Sequence, residues 1–156
     1  MVIYLIAVGQ NMPAWVKTGY DEYASRLKQE VELKLIEVAP SPRKKKSDPK
    51  KILKEEADRI RKAIPKNAYI VGLDVIGKAV STPELSQRLE NWMQMGRDVA
   101  ILIGGPEGFD PEIKKEFETS ISLSKLTLPH PMVRVIIAEQ LFRAWSIIHN
   151  HPYHRE

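Results

Sequence analysis

The stretch VAILIGGPEG, residues 99–108, contains the most strand-like run of the chain. Five consecutive apolar residues, Val99–Ile103, are typical of a strand that is buried on both faces of a sheet. The glycine-rich segment Gly104–Gly108 follows at once, and glycines at a strand end permit a tight turn and a close approach of ligand to backbone. A turn into the next helix and a ligand-binding loop are therefore the two interpretations of this segment.

Outward from this stretch, apolar runs that predict strands alternate with segments that predict helices. The other predicted strands are Val2–Val8, a strand with Leu33, Leu35, Ile36 and Val38, Ala68–Leu73, and a brief strand at Ile121 and Leu123. Helix starts are predicted at Pro13, Asp48-Pro49, Thr82-Pro83, Asp110-Pro111 and about Met132, with a turn at Gly77 and a helix stop at Gly96. This order predicts one α/β domain over residues 1–156, with a mostly parallel sheet that is covered by helices on both faces.

Composition narrows the class of protein. The chain has 156 residues, of which 43% are hydrophobic and 28% charged, a balance typical of a globular domain. It contains no cysteine, which excludes disulfides and thiolate metal sites. The apolar N-terminus lacks the basic flank of a signal peptide, and no apolar stretch approaches the roughly 18 residues of a membrane span. We therefore expect a cytoplasmic protein with no membrane contact.

Positive charge is concentrated in one segment of a chain whose net charge is +4. Residues 43–54 contain one acid, Asp48, and seven basic residues: Arg43, Lys44, Lys45, Lys46, Lys50, Lys51 and Lys54. One interpretation is a solvated loop followed by a first helical turn. The other is an arm that contacts the phosphates of a nucleic acid.

Three segments follow predicted strands, where ligands bind in open α/β sheets. They are Leu73-Asp74, Gly104–Gly108 and Ser124–Pro129. The glycine segment matches neither the Walker loop nor the dinucleotide fingerprint. The leucines of Ser124–Pro129 are interpreted either as ordinary core or as an apolar slot for a flat ring.

The C-terminus has an unusual composition, because all four histidines lie in the last 27 residues. No carboxylate or cysteine stands near them in a known ligand pattern, so a metal site is not predicted. Either the tail is a frayed terminus, or it is a polar catalytic segment that includes Asn150, Tyr153, His154 and Arg155. The helix before it is so apolar that a second subunit is expected to cover part of it, unless it is the core helix of a monomer.

Five segments together carry a resemblance to a known family. They are AVGQNMPAWVKTGYDEY (7–23), GKAVSTPELS (77–86), LIGGPEGF (102–109), SLSKLTLPHPMVRVIIAEQLFRAWSI (122–147) and NHPYHRE (150–156). In these segments the chain resembles the bacterial ribosomal RNA large-subunit methyltransferase H family, which is part of the SPOUT superfamily. The resemblance extends over the whole chain.

The resemblance implies a fold, an activity and partners. The fold is a single SPOUT-type domain with a C-terminal trefoil knot, an exception to the rule that chains do not thread loops. The activity is transfer of a methyl group from S-adenosylmethionine to N3 of a pseudouridine in 23S rRNA, on the assembled ribosome and as a homodimer. The cofactor-binding positions that it implies are Leu73, Gly105, Ser124, Lys125, Leu126, Thr127, Leu128 and Pro129.

Methylation at N3 requires a group that removes a weakly acidic proton and a cation that stabilises the resulting anion. The hypothesis assigns the first task to His154, the second to Arg155 and orientation of the base to Tyr153. The expected RNA contacts are Arg43, Lys44, Lys45, Lys46 and Arg143, of which Arg143 can also pair with Glu139 one helical turn away. The tail of one subunit is expected to complete the site of the other, and no metal is required.

Three alternative functions remain open. A different SPOUT enzyme, such as a tRNA ribose methylase, would modify tRNA. A non-enzymatic ribosome-binding protein would bind ribosomes but not S-adenosylmethionine. A nucleotide-dependent oxidoreductase is remote, because the phosphate-binding fingerprint is missing.

Overall fold

A computed structural model describes residues 1–27 and 29–155, and in this part of the chain five strands alternate with five helices. The elements are β1 (Val2–Val8), α1 (Ala14–Ala24), β2 (Glu32–Val38), α2 (Pro49–Ala63), β3 (Tyr69–Ala79), α3 (Thr82–Gln94), β4 (Val99–Ile103), α4 (Pro111–Lys114), β5 (Thr119–Ser122) and α5 (His130–Ile148). The strands form one sheet in the order β2-β1-β4-β3-β5, and every pair is parallel. The predicted α/β class and parallel sheet are confirmed.

Helices cover both faces of the sheet, as the alternation of buried residues within β1 shows. Ile3, Leu5 and Ala7 pack into a core with residues of α1, α3 and α5. Ile6 and Val8 pack into a second core with residues of α2 and α4. Strand β4 divides its side chains in the same way, so the central strands are buried on both sides, as continuous apolar runs predict.

The two helix starts predicted at Asp48-Pro49 and Asp110-Pro111 are confirmed. The Asp48 carboxylate accepts a hydrogen bond from the Lys50 amide at 3.0 Å, and the Asp110 carboxylate accepts one from the Glu112 amide at 3.3 Å. Each cap is followed by proline, whose missing N–H costs nothing in the first turn. Helix α3 begins at Thr82 as predicted, and its cap is Ser81.

The prediction that Gly77 marks a turn is wrong. Strand β3 continues to Ala79, and its register with β5 shifts between Leu73 and Lys78. A Cβ atom on Gly77 would lie 2.8 Å from the carbonyl carbon of Ile121, so glycine is needed there for the close approach of β5. Gly77 is needed because the backbone of another strand packs against it. The sequence alone does not distinguish a glycine of this kind from a glycine in a turn.

Some helix boundaries also differ from the expectation. Helix α5 begins at His130, two residues earlier than expected, because the Pro129 carbonyl already accepts hydrogen bonds from the Met132 and Val133 amides. Helix α1 ends at Ala24, so Leu27 is buried beyond the helix. No helix within residues 1–27 and 29–155 is long and apolar enough to cross a membrane. The trefoil knot and the single domain over residues 1–156 stay predictions.

Candidate active site

The three predicted strand-end segments meet at one edge of the sheet. Leu73 pairs with Ile103 of β4 and with Ile121 of β5, so the segments that follow these three residues are neighbours in space. The segment after Leu73 is not a strand end as predicted, because β3 continues beyond its register shift to Ala79. They enclose a cavity of about 480 Å³, here called the strand-end cavity. This volume lies within the range of small-molecule sites. Its lining includes Leu73, Asp74, Val75, Ile76, Gly104, Gly105, Glu107, Lys114, Ser124, Leu126, Thr127, Leu128 and His130.

One wall of the cavity is the glycine loop, residues 104–108. The Gly108 amide donates to the Gly105 carbonyl at 2.9 Å, which folds the loop back on itself. A Cβ atom on Gly104 would lie 2.7 Å from the Gly108 carbonyl oxygen, and Gly108 has a positive φ of 82°. Both positions therefore require glycine for this fold of the loop. The loop exposes backbone to the cavity, as the ligand-binding interpretation requires.

A second part of the lining is the leucine loop, Ser124–Pro129. The Ser122 hydroxyl donates to the Ser124 carbonyl at 3.0 Å, and the Ser124 hydroxyl oxygen accepts from the Leu126 amide at 2.9 Å. These bonds form a tight local turn that leaves Leu126 72% exposed beside the cavity. Together with the exposed Val75 and Ile76, Leu126 gives the cavity an apolar rim.

Two cavity residues were not identified by the sequence reasoning. The Lys114 ammonium lies 3.2 Å from the Asp74 carboxylate, and both side chains line the cavity. His130 lines it from the first turn of α5, where burial and the charges of Arg134 and Arg43 hold the pKa of the imidazole below its usual value. No local pattern in the sequence marks Lys114, and the sequence predicts His130 in the loop before α5 rather than in its first turn.

Arg43 connects the basic loop, residues 43–46, to the glycine loop. Its guanidinium binds Glu107 with two hydrogen bonds at 2.9 Å from Nε and one at 2.5 Å from Nη2. Nη2 also lies 3.1 Å from Glu56, whose side chain is only 3% exposed. Arg43 holds the pKa of Glu107 below its ordinary value through this hydrogen bonding. The ion-pair cluster therefore fixes the outer side of the glycine loop.

A second polar cluster lies further along α5, between the middle of the helix and the C-terminal segment. Glu139 accepts hydrogen bonds from Arg143 Nε and from the Tyr153 hydroxyl, each at 2.9 Å. The Arg143 guanidinium also lies 5.0 Å from the centre of the Tyr153 ring. Burial, and then the hydrogen bond to Glu139, raise the pKa of Tyr153 to about 12. The predicted pairing of Glu139 and Arg143 is confirmed.

The tail, residues 149–155, folds back along α5. The Tyr153 ring packs against Phe142 with centroids 4.6 Å apart. His154 lies 2.8 Å from the Ser146 hydroxyl through Nδ1, and Arg155 is exposed to solvent. Because Tyr153 and His154 both contact α5, these contacts favour an ordered C-terminal segment over a frayed terminus.

Within residues 1–27 and 29–155, no group of three or more histidine or acidic side chains is placed to hold a metal ion. Two histidines of the tail form hydrogen bonds within the protein. His149 contacts the Trp145 carbonyl and the Glu30 carboxylate, and His154 contacts the Ser146 hydroxyl.

Comparison with known proteins identifies the family of this chain. A family model described as predicted SPOUT methyltransferase matches residues 1–154. The chain is 52% identical over 155 residues to the ribosomal RNA large subunit methyltransferase H of Bordetella petrii, covering 99% of both chains. It is 49% identical over 156 residues to the protein of the same name from Hydrogenovibrio crunogenus, covering 100% of both.

The chain belongs to the ribosomal RNA large subunit methyltransferase H family of SPOUT methyltransferases. A solved structure of a probable methylase family protein from Haemophilus influenzae has the same fold, with a TM-score of 0.58 at 14% identity. The match covers 99% of this chain and 70% of that one. The resemblance read from the sequence is therefore confirmed at the level of family and fold.

In this member of the methyltransferase H family, most of the predicted cofactor positions lie on one cavity. Leu73, Gly105, Ser124, Leu126, Thr127 and Leu128 line it. Lys125 and Pro129 are exposed and are not among the lining residues; Pro129 uses its carbonyl to start α5. Each of these assignments stays a prediction.

The predicted catalytic residues lie elsewhere in the same chain. The strand-end cavity reaches Val133 in the first turn of α5, whereas His154 contacts Ser146 near the end of that helix. Thirteen residues of α-helix correspond to about 20 Å. Neither Arg143 nor any residue of the tail lines the cavity within the described chain.

Proposed function

We propose that this chain is an S-adenosylmethionine-dependent methyltransferase that modifies N3 of a pseudouridine in large-subunit ribosomal RNA, on the assembled ribosome and as a homodimer. The observation that carries the proposal is the convergence of three strand-end segments on one cavity in a full-length member of this family. The names of the relatives, ribosomal RNA large subunit methyltransferase H, support the substrate class.

The cavity fits S-adenosylmethionine in size and in chemistry. Glycines 104 and 105 bring bare backbone to one wall, and Gly104 leaves no room for a side chain. The leucine loop adds apolar surface beside backbone groups that can bind the edge of a flat purine. When bound, the cofactor would supply a methyl group already activated by its sulfonium, so the chain itself needs to manage only the proton and the charge of the base.

The tail has the residues for these two tasks. In the proposal His154 accepts the N3 proton through a nitrogen of its imidazole ring. Arg155, which is exposed, stabilises the developing anion. Tyr153 is fixed by Phe142 and by its bond to Glu139, and it orients the segment that carries His154.

The distance between cavity and tail supports a site built by two subunits. His154 contacts Ser146, about 20 Å along α5 from the last helix residue that lines the cavity of its own chain, so its imidazole lies far from a methyl group held there. In a homodimer the tail of one chain completes the cavity of the other. The exposed apolar rim of the cavity, with Ile76 and Leu126 more than 70% exposed, is the kind of surface that a second subunit would cover.

The basic loop provides the proposed contact with RNA. Lys44, Lys45 and Lys46 are exposed and stand next to the glycine loop through the ion pairs of Arg43. Because Arg43 already shares its charge with two carboxylates, the three lysines carry most of the expected attraction for phosphate. Arg143 is the further RNA contact expected at the tail.

Methyl-labelled S-adenosylmethionine, incubated with ribosomes that lack the modification, tests the proposal; free large-subunit rRNA and tRNA are incubated in parallel. We expect label in large-subunit rRNA of the ribosomes, recovered as N3-methylpseudouridine after digestion to nucleosides. Label in tRNA would instead support a ribose-methylating SPOUT enzyme. Ribosome binding without binding of S-adenosylmethionine would indicate a non-enzymatic role and overturn the proposal.

A further inference from the structure

Ser146 connects the end of α5 to the tail through a single buried oxygen. The residue is 0% exposed, and its hydroxyl makes three polar contacts. It donates to the His151 carbonyl at 2.9 Å and accepts from the His154 amide at 3.2 Å. The third contact, at 2.8 Å, is with Nδ1 of the His154 imidazole.

The hydrogen atoms of this cluster can be assigned by counting. A serine hydroxyl has one hydrogen, and a carbonyl oxygen has none. The contact with the His151 carbonyl therefore uses the serine hydrogen, and the same oxygen must act as acceptor toward His154. Nδ1 of His154 then carries a hydrogen, and in the neutral ring Nε2 is left with its lone pair.

We propose that Ser146 is a positioning residue that holds His154 in the Nδ1-protonated tautomer, with Nε2 free to accept the proton of the target base. This inference rests on the proposed role of His154 as the base, but the tautomer itself does not depend on that role. Within the described chain Nε2 of His154 has no hydrogen-bond partner, as a proton acceptor for an incoming substrate requires.

The other two histidines of the tail have different hydrogen-bond patterns. Nδ1 of His151 accepts a hydrogen bond from the Tyr153 amide at 3.1 Å, so the neutral ring carries its hydrogen on Nε2. Both nitrogens of His149 face acceptors, the Trp145 carbonyl and the Glu30 carboxylate, each at 3.0 Å. Among the three, the contacts leave a free acceptor at Nε2 only in His154.

The tautomer has a chemical consequence because either nitrogen of a neutral imidazole can hold the proton. A ring protonated at Nε2 presents a donor where the reaction needs an acceptor. A hydrogen bond to Nδ1 removes that unproductive form and fixes the rotation of the ring at the same time. Because Ser146 lies on a packed helix, it supplies this bond before any substrate arrives.

Nitrogen-15 spectroscopy of the histidine rings tests the inference in the full-length protein without measuring activity. The chain is labelled at histidine and studied at about pH 8.5, where free imidazoles are neutral; the His154→Ala variant assigns the signals. We expect His154 to show a protonated Nδ1 and an unprotonated Nε2 in the unsubstituted protein. A protonated Nε2 in that spectrum would overturn the proposal whatever the variants do.

Substitution then tests the role of Ser146. We expect Ser146→Ala to give a mixture of His154 tautomers and to lower kcat roughly 10- to 100-fold with KM for both substrates unchanged. Ser146→Thr keeps the hydroxyl and is expected to keep the tautomer. Ser86→Ala is the matched control, because Ser86 is also buried and also donates to α5, through the Ala144 carbonyl at 3.2 Å, but it does not touch the tail.

The outcomes separate this inference from the proposed function. If Ser146→Ala leaves the His154 tautomer unchanged, the inference is wrong even if activity falls. If His154→Ala keeps its activity while the unsubstituted protein shows the Nδ1-protonated ring, the base assignment is wrong and the tautomer assignment stands.

Discussion

The strand-end cavity and the tail lie at opposite ends of α5 and are built by different means. The cavity is made by loops whose shape depends on backbone, as at Gly104, where a side chain would collide with the Gly108 carbonyl. The tail is made by side chains, with Tyr153 bound to Glu139 and His154 bound to Ser146. A backbone surface can bind a ligand through N–H and C=O groups, whereas proton transfer needs defined side-chain atoms.

This difference indicates how the tasks are divided. A substitution in the cavity should change the binding of cofactor and leave the tail intact. A substitution in the tail should change the chemical step and leave cofactor binding intact.

Removal of the proposed base should have the largest effect. We expect His154→Ala to lower kcat by roughly 10²- to 10⁴-fold, the usual contribution of a general base. Binding of S-adenosylmethionine, measured by calorimetry, should stay within about twofold, because His154 does not line the cavity of its own chain and is proposed to act on the RNA base rather than on the cofactor. Activity near that of the unsubstituted protein would reject the base assignment, and loss of cofactor binding would reject the separation of the two regions.

A side chain at Gly104 should have the opposite effect. In Gly104→Ala the new methyl group would stand 2.7 Å from a backbone oxygen, which cannot rotate away, so the glycine loop must shift. We expect the affinity for S-adenosylmethionine to fall by about 10-fold or more, or at least about 1.4 kcal/mol. The histidine ring signals of the tail should not move. Unchanged affinity would show that the glycine loop does not hold the cofactor.

Loss of Arg43, which binds the glycine loop beside the cavity, should lower the stability of the fold. Arg43→Ala leaves Glu56, which is 3% exposed, without its cation, and we expect the free energy of unfolding to fall by about 2 kcal/mol. The Ser41 amide still donates to Glu56, which limits the loss. Urea unfolding measures it.

The matched control is Arg43→Ala combined with Glu56→Gln, which removes the unpaired charge and should recover part of the loss. Equal destabilisation in the single and double variants would show that the ion pair is not what stabilises this region.

The smallest effect concerns pH. The pKa of His130 in the folded chain lies below its ordinary value, because of burial and then of Arg134 and Arg43. The unfolded chain therefore binds the proton more readily, and the folded state loses stability as pH falls below about 6.5. We expect the urea midpoint to decrease between pH 7.5 and pH 5.5, and His130→Gln to reduce that decrease. An identical pH dependence in His130→Gln would contradict this assignment.

Much of the fold could be predicted from local signals. Continuous apolar runs identified β1 and β4 with their observed bounds, and Asp-Pro pairs identified two caps. The failure at Gly77 has a physical reason: its requirement for glycine comes from β5, 44 residues later in the chain at Ile121, and no local pattern contains that contact.

The candidate site could be predicted in part for the same reason. The strand-end rule predicts a ligand site at Leu73-Asp74, Gly104–Gly108 and Ser124–Pro129, and residues of all three segments line one cavity. The individual cofactor positions, such as Gly105 and Leu126, are implied by the family resemblance. Lys114 could not be assigned, because its place depends on how α4 packs beside Asp74. Ser146 could not be assigned either, because its role depends on a tail that folds back over α5.

Complementation between two impaired chains, assayed well below saturation with S-adenosylmethionine, tests the central claim, that the cavity of one subunit works with the tail of the other. Chains with Gly104→Ala and chains with His154→Ala, each with its own tag, are co-expressed, and the mixed dimer is purified through both tags. Each mixed dimer contains one intact cavity facing one intact tail, so we predict about half of the activity of the unsubstituted dimer. Activity no higher than that of the two parent variants, or a protein that stays monomeric, would contradict the account.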